Sequence, residues 1–315
     1  MNTMAQELDR YLAIRRSLGY DLRSSERILR RLITFAEQQG AEHITTELFL
    51  RWRDAFGHAH RPTWTARLGK VRLFAQWLHG LDPQHEVPPS ALIPGRYRRP
   101  RPYIYTAEEI RQLITAAAEL PSANGLRRLT YATLFGLIAV TGLRISEALA
   151  LDVADMDWET GVLTIRRGKL GKARLLPLSE STQAQLARYA KERDRLLGAG
   201  PTCFFVSDQG KRPTDCEVRY NFAVVCQRMG LRTVQRFHRH GRGPRIHDLR
   251  HTFAVQTLLN WYRTGKDPAQ EMIQLTTYLG HASPVDTYWY IEAVPELMEL
   301  AAQRSSAALA QEVRV

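Results

Sequence analysis

Residues 244–253, PRIHDLRHTF, and residues 278–291, YLGHASPVDTYWYI, decide how this chain is to be read. If His-Asp-Leu-Arg opens a helix, the spacing of three sets His247 and Arg250 on one face, about one turn apart. A guanidinium and a titratable ring then point at one spot. Such a pair suits a phosphodiester, because arginine's planar fork grips two phosphate oxygens while histidine shares or moves a proton. His281 precedes a short loop, and Tyr288 and Tyr290 follow it. By itself His-x-x-Arg fits a solvated helix start equally well, so its surroundings carry the weight.

Upstream, TGLRISEAL (141–149) sets Arg144 just past a glycine that ends an apolar helix, with Glu147 three residues on. GKLGKARLLPL (168–178) puts Lys169 and Lys172 in a strand-turn-strand pattern. The ordered motifs are T-G-L-R-x-S-E, G-K-x-x-K-x-R-x-x-P-L, H-D-L-R-H-T-F-A, and L-G-H with a tyrosine nine residues later. With them the chain resembles the tyrosine recombinase (phage integrase) family, and is similar in plan to its Xer-like and integrase members. The resemblance covers the C-terminal two thirds at motif level and the N-terminal third only as a helical pattern.

The resemblance implies an enzyme, a tyrosine-type site-specific recombinase that cuts and rejoins DNA through a 3′-phosphotyrosyl intermediate. It implies no metal, ATP or other cofactor, and a setting of DNA integration, excision or mobile-element transposition. The implied catalytic set is Arg144, Lys169, His247, Arg250, His281 and the nucleophile Tyr290, with Glu147 in support. Arg144 and Arg250 would hold the non-bridging phosphate oxygens, His247 would act as general base, and His281 would donate a hydrogen bond to the phosphate. Lys169, with Lys172 as the alternative, would protonate the leaving oxygen. Tyr288 would face elsewhere, since two helical steps rotate about 200°.

The implied fold is mainly α with a small antiparallel β-sheet, in two domains. Residues 1–86 would form a helical, SAM-like core-binding bundle, residues 87–104 a basic proline-rich linker, and residues 105–315 the catalytic domain with a terminal helix over 295–312. Expected partners are double-stranded DNA carrying a specific recombination site and an accessory or partner recombinase. Further copies of the chain would join in a tetrameric synaptic complex through the terminal helix, and that helix docking on its own domain is the alternative. The resemblance also admits a non-cutting DNA-binding relative and a type IB topoisomerase-like relaxing enzyme.

Composition agrees with a polyanionic partner: 315 residues carry a formal charge of +12 and a pI near 9.9. Clustered Lys and Arg release counterions from nucleic acid, although charge alone does not separate DNA from RNA or an anionic membrane. No apolar run reaches the roughly 18 residues of a membrane span, and the amino terminus has no signal-peptide pattern, so the expected location is cytoplasmic. Cys203, Cys216 and Cys226 lack metal or redox spacing and are expected to be reduced. His238, His240, His247 and His251 cluster in sequence, but no cysteine pair stands at zinc-finger spacing and no metal is expected. Asp152, Asp155 and Asp157 lack the spaced partners of a metal-dependent transposase.

Four amphipathic helices are expected in the first part, the last of them carrying Arg67, Lys70 and Arg72 opposite Leu68, Val71 and Phe74. These cations, Arg96, Arg98, Arg99 and Arg101 of the linker, and Lys172 and Arg242 further on, are the expected DNA contacts. Farther along, CFFVS (203–207) reads as a strand, TVQRFHRHGRGPR (233–245) as a basic loop, and 259–272 as a long connection.

Overall fold

The first helix, α1 (Met4–Ser17), starts on a capping box in which Thr3 and Gln6 satisfy each other's backbone donors. With α2 (Arg23–Gln38), α3 (Thr46–Ala55) and α4 (Arg61–His79) it closes round Leu8, Leu29, Leu32, Phe49, Trp52, Trp64 and Phe74. Trp52 and Trp64 meet edge to face at 5.4 Å. Each such side chain gains about 1.5–3 kcal/mol by burial. Exposed ion pairs such as Arg30 with Asp9 contribute only about 0–1 kcal/mol. The apolar interior therefore holds the bundle.

The computed structural model describes residues 3–94, 101–166, 173–198, 200–235, 238–281 and 283–312. The chain divides into two compact units, Met1–Pro100 and Arg101–Val315. The segment between the helices of the two units is anchored at both ends, Ile93 in the first core and Tyr105 in the second.

In the second unit α5 (Ala107–Ala118) lies against α6 (Leu126–Thr141), whose Leu134, Phe135, Leu137 and Ile138 are buried. After the short α7 (Ile145–Leu149), strands β1 (Met156–Asp157), β2 (Val162–Ile165) and β3 (Arg174–Pro177) pair antiparallel in that order, with Leu163 opposite both Met156 and Leu176. Helices α8 (Glu180–Leu197) and α9 (Asp215–Arg228) follow. Then come α10 (Ile246–Arg263), α11 (Pro268–Leu279), α12 (Val285–Ala293) and α13 (Pro295–Glu312). The fold is thus mainly α with a small antiparallel sheet.

Three local expectations are corrected. Residues 203–207 form no strand, only a bridge from Cys203 to Asp152. The Phe204 carbonyl instead accepts from Arg193, and the Tyr189 hydroxyl accepts from the Val206 amide, so side chains replace the ladder. Residues 233–245 contain a hairpin, β4 (Thr233–Gln235) with β5 (His238–Arg242), where glycines and charges had suggested a loop. The expected long connection after residue 259 is largely helical: α10 continues to Arg263 because Trp261 is buried, and only residues 264–267 separate it from α11. The terminal helix α13 packs on α10 of its own chain, with Leu297 enclosed and Arg263 paired to Glu296 at 2.6 Å.

Candidate active site

Helix α6 ends because Gly142 adopts φ +63°, a left-handed conformation that costs glycine little. A Cβ there would lie 2.6 Å from Phe253 and 2.9 Å from Leu279, so the turn is also closed to larger residues. The chain then delivers Arg144 to the start of α7. Glu147, one turn on, accepts from the Arg144 backbone at 3.0 Å and from its guanidinium at 2.7 Å. Arg174 of β3 grips the same carboxylate with both terminal nitrogens, at 3.0 and 2.9 Å. Burial raises the Glu147 carboxyl's pKa, but the Arg174 hydrogen bonds and the Arg144 amide outweigh it and hold the group at about 2.

The C-terminus of α11 gathers the cations. Arg174 donates to the Tyr278 carbonyl at 2.8 Å, Arg250 to Leu279 at 2.7 Å, and Arg144 to Gly280 at 2.8 Å. These last carbonyls lack helical partners and carry the negative end of the helix dipole, so three guanidinium groups converge on them. Arg250 also donates to the Gly142 carbonyl at 2.6 Å, which ties α10 to the α6 turn. Burial and the neighbouring Arg144 charge lower the Arg250 pKa to about 10, which leaves it charged at neutral pH. Three arginines against the single Glu147 carboxylate leave a positive excess suited to an anion.

His247 lies half-buried in the first turn of α10, its ring edge-on to His251 at 4.6 Å. His281 follows α11 directly; its amide donates to the Thr276 carbonyl and its Nδ1 meets the Thr287 hydroxyl at 2.8 Å. Tyr290 of α12 is fully buried, stacked on His281 at 6.4 Å, and its hydroxyl meets His251 Nδ1 at 2.9 Å. Tyr288 is 45% exposed. The structure thus gathers Arg144, Glu147, His247, Arg250, His281 and Tyr290 around the ends of α6, α10, α11 and α12.

The profile of the phage integrase family matches residues 104–296. The chain belongs to that family. The recombinase is 42% identical to y4rB of Sinorhizobium fredii, named as an integrase/recombinase, over 96% of this chain and 97% of that one. It is 30% identical to the tyrosine recombinase XerD of Caulobacter vibrioides, over 73% of this chain and 70% of that one. Among solved structures it resembles the lambda integrase dimer bound to a COC′ core site, with a TM-score of 0.61, 17% identity and coverage of 92% and 95%. The family membership makes the chain a tyrosine-type enzyme of site-specific DNA recombination.

Lys169, Lys172, Arg96, Arg98 and Arg99 lie outside the described residues. Arg101 and Arg242 are exposed and away from the arginine cluster's hydrogen bonds. In the first unit Arg67 is not on a plainly solvated face: its guanidinium lies over Phe56 at 4.2 Å and Trp64 at 4.4 Å, while Lys70 donates to Ser24. Arg72 is partly buried on the same helix. Four contributors were given no place in the site by the sequence reading. Arg174 stood inside a quoted motif and His251 beside Arg250, so both had a signal; Thr287 and the α11 carbonyls had none. Among the described residues, His43, Asp82 and His85 are the group close enough to share a metal ion. His85 Nδ1 already accepts the Ile44 amide and His43 Nε2 pairs with Asp82, so the cluster is satisfied as a hydrogen-bonded brace. No helix among the described residues is long and apolar enough to cross a membrane.

Proposed function

We propose that the recombinase cuts and rejoins double-stranded DNA at a specific site through a covalent 3′-phosphotyrosine at Tyr290, without metal or ATP. The observation that carries this reading is the convergence of Arg144 and Arg250 on the α11 C-terminus, beside His281 and the stacked Tyr290. Two guanidinium groups held this way would bind the non-bridging phosphate oxygens and stabilise the charge that builds as phosphorus becomes five-coordinate. The Tyr290 oxygen attacks, the bond to the 5′ oxygen breaks, and the phosphotyrosine conserves the bond energy for rejoining. A phenol of ordinary pKa near 10 is ionised only about once in a thousand at neutral pH, so its proton needs an acceptor. Two imidazoles on one face of α10, His247 and His251, are available. Lys169, or Lys172 in its place, is proposed to protonate the leaving oxygen.

The first unit would hold the duplex. Burial and the nearby Arg31 and Arg27 charges push the Arg67 pKa down, and burial with Arg27 and Arg67 does the same to Lys70. Crowded cations of this kind gain when a phosphate arrives. We place Arg72, the linker arginines Arg96, Arg98, Arg99 and Arg101, and Arg242 in the same backbone-contacting role. The setting we propose is integration, excision or transposition of a mobile DNA element, by four copies on paired sites, linked through α13 if that helix leaves the α10 face it covers in the single chain. An accessory or partner recombinase would complete the assembly.

The test uses nicked suicide duplexes whose sites are first selected from a random-sequence pool by binding, in excess chelator. A covalent protein–DNA band on a denaturing gel is expected for the wild type and for Tyr288→Phe, and none for Tyr290→Phe. Tight DNA binding without a band from the wild type would favour the non-cutting reading instead.

A further inference from the structure

Tyr290 is fully enclosed, and so, at 2% exposure, is the His251 ring that meets its hydroxyl. His251 follows His247 by four residues, which sets the two imidazoles one turn apart on the same side of α10. Of these two, His251 lies deeper and holds the phenol at 2.9 Å. On its far side Nε2 stands 4.0 Å from a carboxylate oxygen of Asp248. Asp248 is itself buried and fixed by the Arg245 amide at 2.7 Å and the Arg245 guanidinium at 3.0 Å. The Nε2 gap is too long for a hydrogen bond, yet in a water-poor interior a carboxylate on that side favours the tautomer with its proton on Nε2. In that tautomer Nδ1 offers its lone pair and the Tyr290 hydroxyl is the donor across the 2.9 Å contact. A nucleophile meets an imidazole backed by a carboxylate 4.0 Å away, and a base in contact with the nucleophile is how weak oxygen nucleophiles are activated.

We propose that His251 is a catalytic residue, the base that takes the Tyr290 proton during attack on the phosphodiester. The proposal rests on the phosphotyrosyl reading above. As the bond from Tyr290 Oη to phosphorus forms and the bond from phosphorus to the 5′ oxygen breaks, the phenolic proton passes to His251 Nδ1. The resulting imidazolium lies beside the Asp248 carboxylate. The leaving oxygen takes its proton from a different group, and on rejoining the Nδ1 proton returns to the phenol. His247, the more exposed imidazole, is then left to face the phosphate.

Single-turnover cleavage of the selected nicked duplex by His251→Ala and His251→Asn tests this. Asparagine can accept the phenol's hydrogen bond but cannot hold its proton. Both variants are expected to bind DNA as the wild type does and to cleave at least about 100-fold more slowly, the usual contribution of a positioned base. A duplex with sulfur in place of the bridging 5′ oxygen, which leaves without a proton, should not restore either one. Wild-type or faster cleavage by the variants would overturn the proposal and make His251 a latch on a withdrawn tyrosine. Restoration by the sulfur substrate would assign His251 to the leaving group instead. Should neither variant fold, the wild type labelled with 15N-histidine decides: an unprotonated His251 Nδ1 in the neutral ring supports the base, and a protonated one sinks it. Failure of the underlying reading looks different, because the wild type and Tyr290→Phe would then give the same result on the gel.

Discussion

Arg250 and Arg67 are both partly or wholly withdrawn from water, and they are held by opposite means. Arg250, in the second unit, is fixed by directional hydrogen bonds to two backbone carbonyls that belong to different elements. Arg67, in the first, rests on the faces of Phe56 and Trp64, and its buried Nη1 has no hydrogen-bond partner among the described residues. Carbonyls set a guanidinium's plane and direction, whereas a ring face lets it slide at little cost. The contrast separates a unit that fixes a charge at one point from a unit that leaves its charge room to slide, as the proposed grip on a DNA backbone would use.

The largest expected effect tests whether the division is real. Tyr290→Phe should remove every trace of covalent complex in the denaturing gel while gel-shift affinity for the same duplex persists, carried by both units. Loss of binding along with cleavage would show that chemistry and grip are not separable.

Next in size, Arg250→Ala should slow cleavage by about 100- to 1000-fold, as the loss of one transition-state donor does. Stranding the Gly142 and Leu279 carbonyls should also cost about 1–3 kcal/mol in urea unfolding. Arg250→Lys should recover little, because a compact ammonium cannot span two carbonyls as a planar fork does. Near-complete recovery by lysine would erase the distinction drawn from Arg67.

Glu147→Gln probes the acid that steadies the cage. The Glu147 pKa in the folded chain, about 2, lies below its ordinary 4.5. Its contribution is therefore full above about pH 4.5 and drains away as pH falls towards 2. The gap corresponds to on the order of 3 kcal/mol. The stability difference between wild type and Glu147→Gln, measured by urea titration, should shrink across that window; a difference constant from pH 7 to pH 2.5 would contradict it.

The smallest effect belongs to the first unit. Arg67→Ala should weaken binding uniformly across DNA sequences and lower the salt-dependence slope by about one, the signature of one phosphate contact. A sequence-selective loss would mean that Arg67 reads bases.

Much of this contrast was visible in the chain before folding. Apolar spacing gave the four helices of the first unit, and glycine after an apolar run gave the α6 turn that delivers Arg144. The motif residues drew together Arg144, His247, Arg250, His281 and Tyr290. Half of the aromatic seat of Arg67 was legible, since Trp64 precedes it by three residues on α4; the other half stayed hidden because Phe56 lies just past the end of α3, and side-chain period within one helix does not report on another. The cage floor was equally hidden, since backbone carbonyls have no letter. Residues 203–207 were misread because a short buried apolar run looks the same whether a strand or a set of side chains satisfies its backbone.

The carbonyls beneath the arginines also act as a clock. Arg250 reaches Gly142 across 108 residues, Arg144 reaches Gly280 across 136, and Arg174 reaches Tyr278 across 104. During synthesis the first unit and Arg144 leave the ribosome long before α11 exists. An unfinished chain thus has its early cations but lacks the carbonyl floor that fixes Arg144, Arg174 and Arg250. The arginine cage is complete only when the last pieces of the protein are.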